Sequence, residues 1–189
     1  RQDLDDRLGR RRMLAEARLM VRLYKSGLNI PVLYDCDIKE QQLVMSNVPG
    51  RPLIELLNDD SIDDATMMKH LQSAGYSIRM LHRQAIVHGD LSTNNIMITP
   101  SGEAVLIDFG LAKIEFETEL YGIDLHVLFE ILGASHPHRE GAMEAVLQGY
   151  KQCEQDLGTA AKTPGGDPVC MEDVIERFDL IRTRVRYHG

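Results

Sequence analysis

The chain has little with which to cross-link itself. Its three cysteines, Cys36, Cys153 and Cys170, are odd in number, scattered, and form no Cys-x-x-Cys pair. That excludes a disulfide framework and a thiolate zinc site, and points to a reducing compartment. No apolar run approaches the ~20 residues that span a bilayer, so no membrane association is expected. A secretory leader pattern is missing, and the expected location is the cytoplasm, with the nucleus added in a eukaryote. Positive charge is scarce: 21 Lys and Arg against 29 Asp and Glu leave a net charge of -8 at pH 7. This excludes a protein that coats nucleic acid by bulk electrostatics, while local basic clusters stay open. The chain opens on Arg1 rather than Met and runs directly into a helical pattern, so its start is read as truncated. What is present is ordinary: 43% apolar residues suffice for a packed core, and the length suits one domain or a two-lobed enzyme lacking a piece.

Hydrophobic periodicity divides the chain. Leu4, Leu8, Ala15, Leu19 and Leu23 recur at helical spacing and predict a helix over Leu4–Tyr24. Ser26-Gly27 ends it, with Gly27 suited to the left-handed position after a helix. Pro31–Asp37 and Gln41–Ser46 predict two strands around a Lys39–Glu40 turn. Val48–Pro52 reads as a turn or hinge. A short helix is predicted over Leu53–Leu57 and a long one over Asp63–Arg83, with Met67, Leu71, Ala74, Ile78 and Leu81 on one face. An irregular loop, Ala85–Asn95, precedes two strands, Ile96–Thr99 and Ala104–Ile107, joined by a Pro100-Ser101-Gly102 turn. Helices are predicted near Asp124–Leu132, Arg139–Gln152 and Met171–Arg184, with a loop at Gly158–Pro168 between the last two. A mixed part is thus followed by a mostly helical one.

The chemistry concentrates in Val87-His88-Gly89-Asp90-Leu91-Ser92-Thr93-Asn94-Asn95-Ile96-Met97-Ile98. An Asp followed five positions later by an Asn fits a kinase catalytic loop. In that arrangement Asp90 orients an attacking hydroxyl, and Asn95 holds magnesium on the far side of the transferred phosphoryl group. Val105-Leu106-Ile107-Asp108-Phe109-Gly110 adds an apolar strand that delivers a carboxylate for magnesium, with a glycine for the turn after it. The loop, the hairpin and the Asp-Phe-Gly, in that order and so closely spaced, form a specific signal.

His88-Gly89-Asp90 departs from the usual His-Arg-Asp and looks like the loop of small atypical kinases and of aminoglycoside-type phosphotransferases. The fuller resemblance is to the kinase/ATPase subunit of the KEOPS complex, the PRPK-type family. It is carried by Leu4–Gly27 with its Glu16-Ala17-Arg18, by His88–Asn95, by Ile107–Leu111, by the Gly122–Leu128 helix and by Ser135-His136-Pro137. It covers nearly the whole chain, Asp156–Val169 being the least typical piece. The resemblance implies an α+β, protein-kinase-like two-lobed fold, with an incomplete N-lobe over residues 1–48 and a helical C-lobe over 49–189. It implies ATP and Mg2+ as cofactors, with Asp90 catalytic, Asn95 and Asp108 on the metal, and Glu16 matching the helix glutamate that pairs with the ATP-binding lysine. That lysine and the glycine-rich loop find no match and are expected before Arg1. Asp124 would brace the catalytic loop. Assembly with other KEOPS subunits, including the tRNA-modifying subunit of ATPase fold, is implied, as is a contact between tRNA and a basic tail, here Arg182, Arg184, Arg186 and His188.

Ordinary readings stand beside these. Glu16 could be one more solvated helical residue, and His88 a packed scaffold residue rather than a proton shuttle. Arg7, Arg10, Arg11 and Arg12 could form a solvated face or meet RNA or an acidic partner. His136-Pro137-His138 reads as a turn, since no carboxylate or cysteine cluster supports a metal. Ser92 stands where many kinases place a lysine, and the link from Gly110 to the Asp124 helix has no Ala-Pro-Glu and little room for a peptide-docking segment. These departures favour an ATPase or a kinase with few substrates. The residues read as a serine/threonine-type phosphotransferase or ATPase, and the resemblance implies that it supports threonylcarbamoyladenosine formation on tRNA. The alternatives are a small-molecule phosphotransferase of the aminoglycoside or choline kind, which would need an Asp-rich element and a larger helical lobe, and a non-catalytic scaffold. A RIO-type kinase is also near, sharing the Asp90-Leu91-Ser92 start of the loop, but it lacks the Asp-Phe-Gly-Leu found here at Asp108–Leu111.

Overall fold

The structure is a computed structural model that describes residues 2–163 and 166–186, with the side chains of residues 2–8 and 185–186 outside the described set. Its first element, α1 (Gln2–Lys25), ends where Gly27 takes φ +82° and Leu28 N–H donates to the Leu23 carbonyl at 3.1 Å. The buried stripe of α1 runs through Met13, Ala17, Leu19, Met20 and Leu23. Ala15, placed on the core face from the sequence, is exposed; a small apolar residue carries too little hydrophobicity to show its face by periodicity. Leu4, Leu8 and Arg7 lie outside the described side chains, whereas Arg10, Arg11 and Arg12 are solvent-exposed.

Strands β1 (Leu33–Asp37) and β2 (Gln42–Met45) form an antiparallel pair. The Asp37 carboxylate accepts from the N–H groups of Lys39 and Glu40 at 2.8 and 3.0 Å, which builds the predicted turn. Past the ladder, Ser46 N–H donates to the Val32 carbonyl at 2.8 Å and Val32 N–H to the Ser46 hydroxyl at 2.9 Å.

The segment read as a hinge contributes β3 (Arg51–Pro52), which pairs with β5 (Ile96–Ile98). Two residues, one of them proline, leave no pattern in a sequence; the neighbouring strand reveals them. Gly50 sits at φ +132°, and a Cβ there would overlap the Ile98 carbonyl, so only glycine permits this approach. Strand β5 pairs in turn with β6 (Ala104–Leu106), in the predicted hairpin. A further two-residue pair, β4 (Ile86–Val87) with β7 (Lys113–Ile114), lies inside stretches read as loop and connection.

Helix α2 (Leu53–Leu57) leads to α3 (Asp64–His82), whose N-cap Asp63 accepts from Thr66 N–H at 2.9 Å. Met67, Leu71, Ala74, Ile78 and Leu81 are fully buried; each of the larger ones contributes about 1.5–3 kcal/mol as an upper estimate. Helix α4 (Thr118–Ser135) begins six residues before the predicted Asp124, since its first turn has no side-chain cap to announce it and is tied by Tyr121 Oη donating to the Glu115 carbonyl at 2.6 Å. Helix α5 (Ala142–Leu157) starts later than the predicted Arg139, because Gly141 is left-handed at φ +76°. Arg139 is instead buried, donating to the carbonyls of Leu57, Asp59 and Ile62 and to the Asp64 carboxylate. Helix α6 is Met171–Arg186.

Helices α3 and α5 make the central packing. A Cβ on Gly75 would overlap the Val146 carbonyl, and one on Gly149 the Gln72 carbonyl, so backbone lies against backbone. Leu125 and Leu128 of α4 and Val174 and Phe178 of α6 complete the core. Among the described residues, no helix is long and apolar enough to cross a membrane.

Candidate active site

The loop after α3 turns at Ala85, which takes φ +56°, and runs through β4 into His88 and Gly89. Both N–H groups donate to one carboxylate: His88 N–H to Asp124 Oδ2 at 2.6 Å and Gly89 N–H to Asp124 Oδ1 at 2.9 Å. Burial pushes the Asp124 carboxyl up, but hydrogen bonding to His82 and to these two amides outweighs it and holds the group below the usual carboxylate range. Asp124 therefore braces the loop, as its helix position implied.

The loop's apolar anchor is Leu91, fully buried. Ile54 N–H, at the unsatisfied start of α2, donates to the Thr93 carbonyl at 3.1 Å. Between these fixings Asp90 is solvent-exposed. The Asn95 side-chain amide reaches back to it, donating to the Asp90 carbonyl at 2.9 Å and to its carboxylate at 3.1 Å. Asp90 and Asn95, paired by spacing in the sequence, are thus in direct contact.

Asn95 also borders the hairpin. Its carbonyl accepts from Ile107 N–H at 3.0 Å, one step beyond the Ile96–Leu106 pair. The next residue is Asp108, left-handed at φ +61° and exposed, with Oδ1 accepting from Gly110 N–H at 3.3 Å. A non-glycine residue held there stores strain of the kind found at working sites, and Asp tolerates it better than most. His88 is buried behind the pair: Nε2 lies 3.1 Å from the Ile107 carbonyl, and the ring packs 5.4 Å from that of Phe109. Burial lowers the His88 pKa despite the carboxylates of Asp124, Asp90 and Asp108. This is the setting of a packed scaffold residue.

Glu16 enters from α1. Its pKa is raised, first by burial and then by the Asp108 charge, with a hydrogen bond from the Phe109 backbone opposing. Glu16 and Asp108 line one cleft of about 390 Å³ with Met20, Pro31, Met45 and Ser46 to Val48, and with Met97, Ile107 and Phe109. Its size and apolar lining suit a small-molecule site. Asp90 and Asn95 are not among the lining residues and sit beyond Asp108.

Asn47 and Val48 make no backbone hydrogen bond among the described residues. Their N–H and C=O groups border the cleft without a backbone partner of their own. Sequence reasoning marked Val48–Pro52 only as a turn or hinge and passed over Asn47, since free backbone groups leave no trace in residue identity. Among the described residues no group of three His, Cys, Asp or Glu side chains could hold a metal. Magnesium needs no such cage: one or two protein oxygens with phosphates and waters suffice. Asp108 and Asn95, hard oxygen donors on adjoining backbone, fit that requirement. His136, read as part of a turn, follows α4 and is buried, with neither ring nitrogen bonded to protein.

A small antiparallel pair beside a helical body, a loop braced by a buried carboxylate, and an Asp-Phe-Gly at the cleft define an α+β, protein-kinase-like fold. Comparison with known proteins agrees. The RIO domain matches residues 6–116. The KEOPS complex subunit Bud32 of Pyrococcus abyssi is 36% identical over 149 residues, 78% of this chain and 66% of the relative. A probable bifunctional tRNA threonylcarbamoyladenosine biosynthesis protein of Methanosarcina barkeri is 32% identical over 98% of this chain and 29% of the relative. The EKC/KEOPS complex subunit bud32 of Aspergillus clavatus is 30% identical over 84% of this chain and 73% of its own length. The chain belongs to the RIO-domain family and to the Bud32 family of KEOPS subunits. It spans less than two thirds of the first two relatives' lengths.

Proposed function

We propose that this chain carries the catalytic centre of an ATP-dependent serine/threonine-type kinase or ATPase of the KEOPS complex, supporting threonylcarbamoyladenosine formation on tRNA. The observation that carries the reading is the Asn95 amide bonded to Asp90 at 3.1 Å, one backbone hydrogen bond away from the strand that delivers Asp108. Residues 1–48 supply one wall of the nucleotide cleft and 49–189 the loop and the metal carboxylate.

In this reading Asn47 and Val48 receive the adenine of ATP, and Asp108 with Asn95 holds Mg2+. The bound metal supplies charge neutralisation on the phosphates. Asp90 orients a Ser/Thr hydroxyl or a water and takes up its hydrogen bond. Glu16 is placed to receive a cation beside Asp108: among the described residues its charge neighbour is another carboxylate, and an ammonium group there would relieve both. The names of the relatives support KEOPS subunits as partners and tRNA as the modified molecule. The basic tail is a candidate tRNA contact through Arg184, exposed on α6. Arg182 is partly engaged, with Nη2 3.0 Å from Asp179 and its guanidinium over the rings of Phe129 and Phe178; the Arg186 side chain and His188 lie outside the described set. A cytoplasmic location, with the nucleus added in a eukaryote, accords with that role.

The test is ATP turnover with magnesium by the full chain, alone and with its complex and tRNA, for wild type and Asp108→Ala. Turnover lost on the substitution is expected. Equal turnover by both would overturn the metal assignment and with it the phosphotransferase reading.

A further inference from the structure

Basic residues are the minority on this chain, yet three stretches distant in sequence bring them to one place. The last turn of α1 presents Arg22 and Lys25, the C-cap of α3 is Arg83, and Asp156–Val169, the least family-like stretch, presents Lys162. All four line one hollow of about 470 Å³. No Asp or Glu is among its lining residues, on a chain of net charge -8. The hollow shares no lining residue with the cleft of Glu16 and Asp108.

Part of this charge serves the fold. Arg83 Nη1 donates to the Gly158 carbonyl and lies 2.8 Å from Glu154, which ties the stretch after α5 to the end of α3. Arg22 donates through Nη2 to the Gln84 carbonyl at 2.9 Å. Two helices also end here, and each C-terminus carries about half a negative charge, which attracts cations. Their last carbonyls are already bonded by backbone, however. Ser26 N–H donates to Arg22 at 3.1 Å and Gly27 N–H to Tyr24 at 3.0 Å, while Arg83 N–H donates to Arg79 at 2.8 Å and Gln84 N–H to Leu81 at 2.9 Å. Neither helix end therefore calls for a lysine as a cap.

Structural duty accounts for Arg83 and leaves the other three in surplus. Among the described residues Lys25 has no carboxylate within ion-pair distance, and Arg22 meets only a neutral carbonyl. Lys162 Nζ is 3.2 Å from Asp167, but both side chains are more than two-thirds exposed, and such a pair holds weakly and opens readily. A group that engages all these cations must present charged oxygens to several walls at once. A carboxylate offers two oxygens in one plane. A phosphate offers its oxygens tetrahedrally, and a guanidinium fork beside ammonium groups matches it.

We propose that the hollow between the ends of α1 and α3 and the Asp156–Val169 stretch is a binding site for a phosphate group, separate from the nucleotide cleft. A free phosphate and an RNA backbone share that chemistry. A phosphate held there ties α1, which carries Glu16, to Gln84, which leads into the loop of Asp90. The site stands on its own geometry and does not need the phosphotransferase reading.

The experiment measures binding to the full chain by calorimetric titration and by residue-resolved amide shifts. The probes are inorganic pyrophosphate and a short oligouridylate, which brings no adenine to the cleft; magnesium is left out so that pyrophosphate meets no metal at Asp108. Wild type is compared with Lys25→Gln, Lys162→Gln, the double variant, and Lys69→Gln, which removes the same charge from an exposed position on α3. Binding to wild type should shift the amides of Ser26 and of Ala160 to Thr163. The double variant should bind on the order of 10-fold or more weakly, as loss of charge-assisted hydrogen bonds does, and Lys69→Gln within a factor of about two, as screening dictates. With oligouridylate, each lysine removed should lower the slope of log affinity against log salt by about 0.7. Pyrophosphate binding alone assigns the site to a free phosphate, oligouridylate alone to an RNA backbone, and binding of both to either source. The proposal is overturned if neither probe binds, if the shifts fall elsewhere, or if the double variant binds like Lys69→Gln. ATP turnover enters none of these readouts, so a failure of the phosphotransferase reading is seen separately.

Discussion

The Asn95 side-chain amide donates to both oxygen types of Asp90, the backbone carbonyl at 2.9 Å and the carboxylate at 3.1 Å. One side chain thus fixes where the acid of the loop sits and how its carboxylate is turned. Asn95→Ala should release that carboxylate, and Asp90→Asn should remove its basicity. Each is expected to lower ATP turnover by roughly 10²–10⁴-fold, the range of a positioned general base. Asp90 is exposed, so Asp90→Asn should leave the melting temperature within a degree or two of wild type, as surface substitutions do. Turnover within a factor of about three for Asp90→Asn would remove this residue from the mechanism.

Asp108 combines the carboxylate proposed to hold the metal with a left-handed backbone at φ +61°. Asp108→Gly and Asp108→Ala should both abolish turnover, yet differ in stability. Glycine occupies this conformation freely, whereas alanine is strained there, so the glycine variant should be more stable than the alanine variant by about 1 kcal/mol. Denaturant unfolding of the two proteins checks the difference. An alanine variant as stable as the glycine variant would show that the backbone relaxes there.

Glu16 carries a pKa raised above its ordinary 4.5 by burial and by the Asp108 charge. Its folded state therefore holds a proton more tightly than its unfolded state. The corresponding stability is fully present below pH 4.5 and is lost as pH rises through the raised folded value. Glu16→Gln escapes that loss. Its melting temperature should exceed that of wild type at pH 7, and the gap should close as pH falls below the ordinary glutamate value. A gap of opposite sign at pH 7 would mean that Glu16 is paired with a cation in solution.

Gly75 and Gly149 lie inside helices, where alanine is normally better by about 0.5–1 kcal/mol. Here each faces the backbone of the other helix, with Val146 and Gln72 carbonyls where a Cβ would stand. Gly75→Ala and Gly149→Ala should both destabilise by about 1–3 kcal/mol, the cost of overpacking. Chemical denaturation measures it. Unchanged or increased stability would mean that α3 and α5 can separate without loss.

The buried stripe of α3, the Gly27 stop and the Pro100-Ser101-Gly102 hairpin were all readable. Each depends on residues within one or two helical turns, or on a turn that glycine or proline dictates. The contact between Asp90 and Asn95 was readable for the same reason, as was the position of Asp108 just past an apolar strand. The two-residue strands β3, β4 and β7 were not. A strand that short has no periodicity of its own, and its existence is a property of the partner across the ladder. The early start of α4 escaped because no side chain caps it.

Local chemistry, then, was sufficient to single out the candidate residues: an Asp, an Asn and a second Asp at spacings that short loops and one hairpin can close. Tertiary structure alone decided what holds them. Asp124 lies 35 residues from Gly89, Tyr150 lies 68 from His82, and Val169 lies 90 from Arg79. No spacing rule links such positions. They meet because α3, α4 and α5 bury their apolar faces together, and the polar groups trapped between those faces must find one another once water is gone.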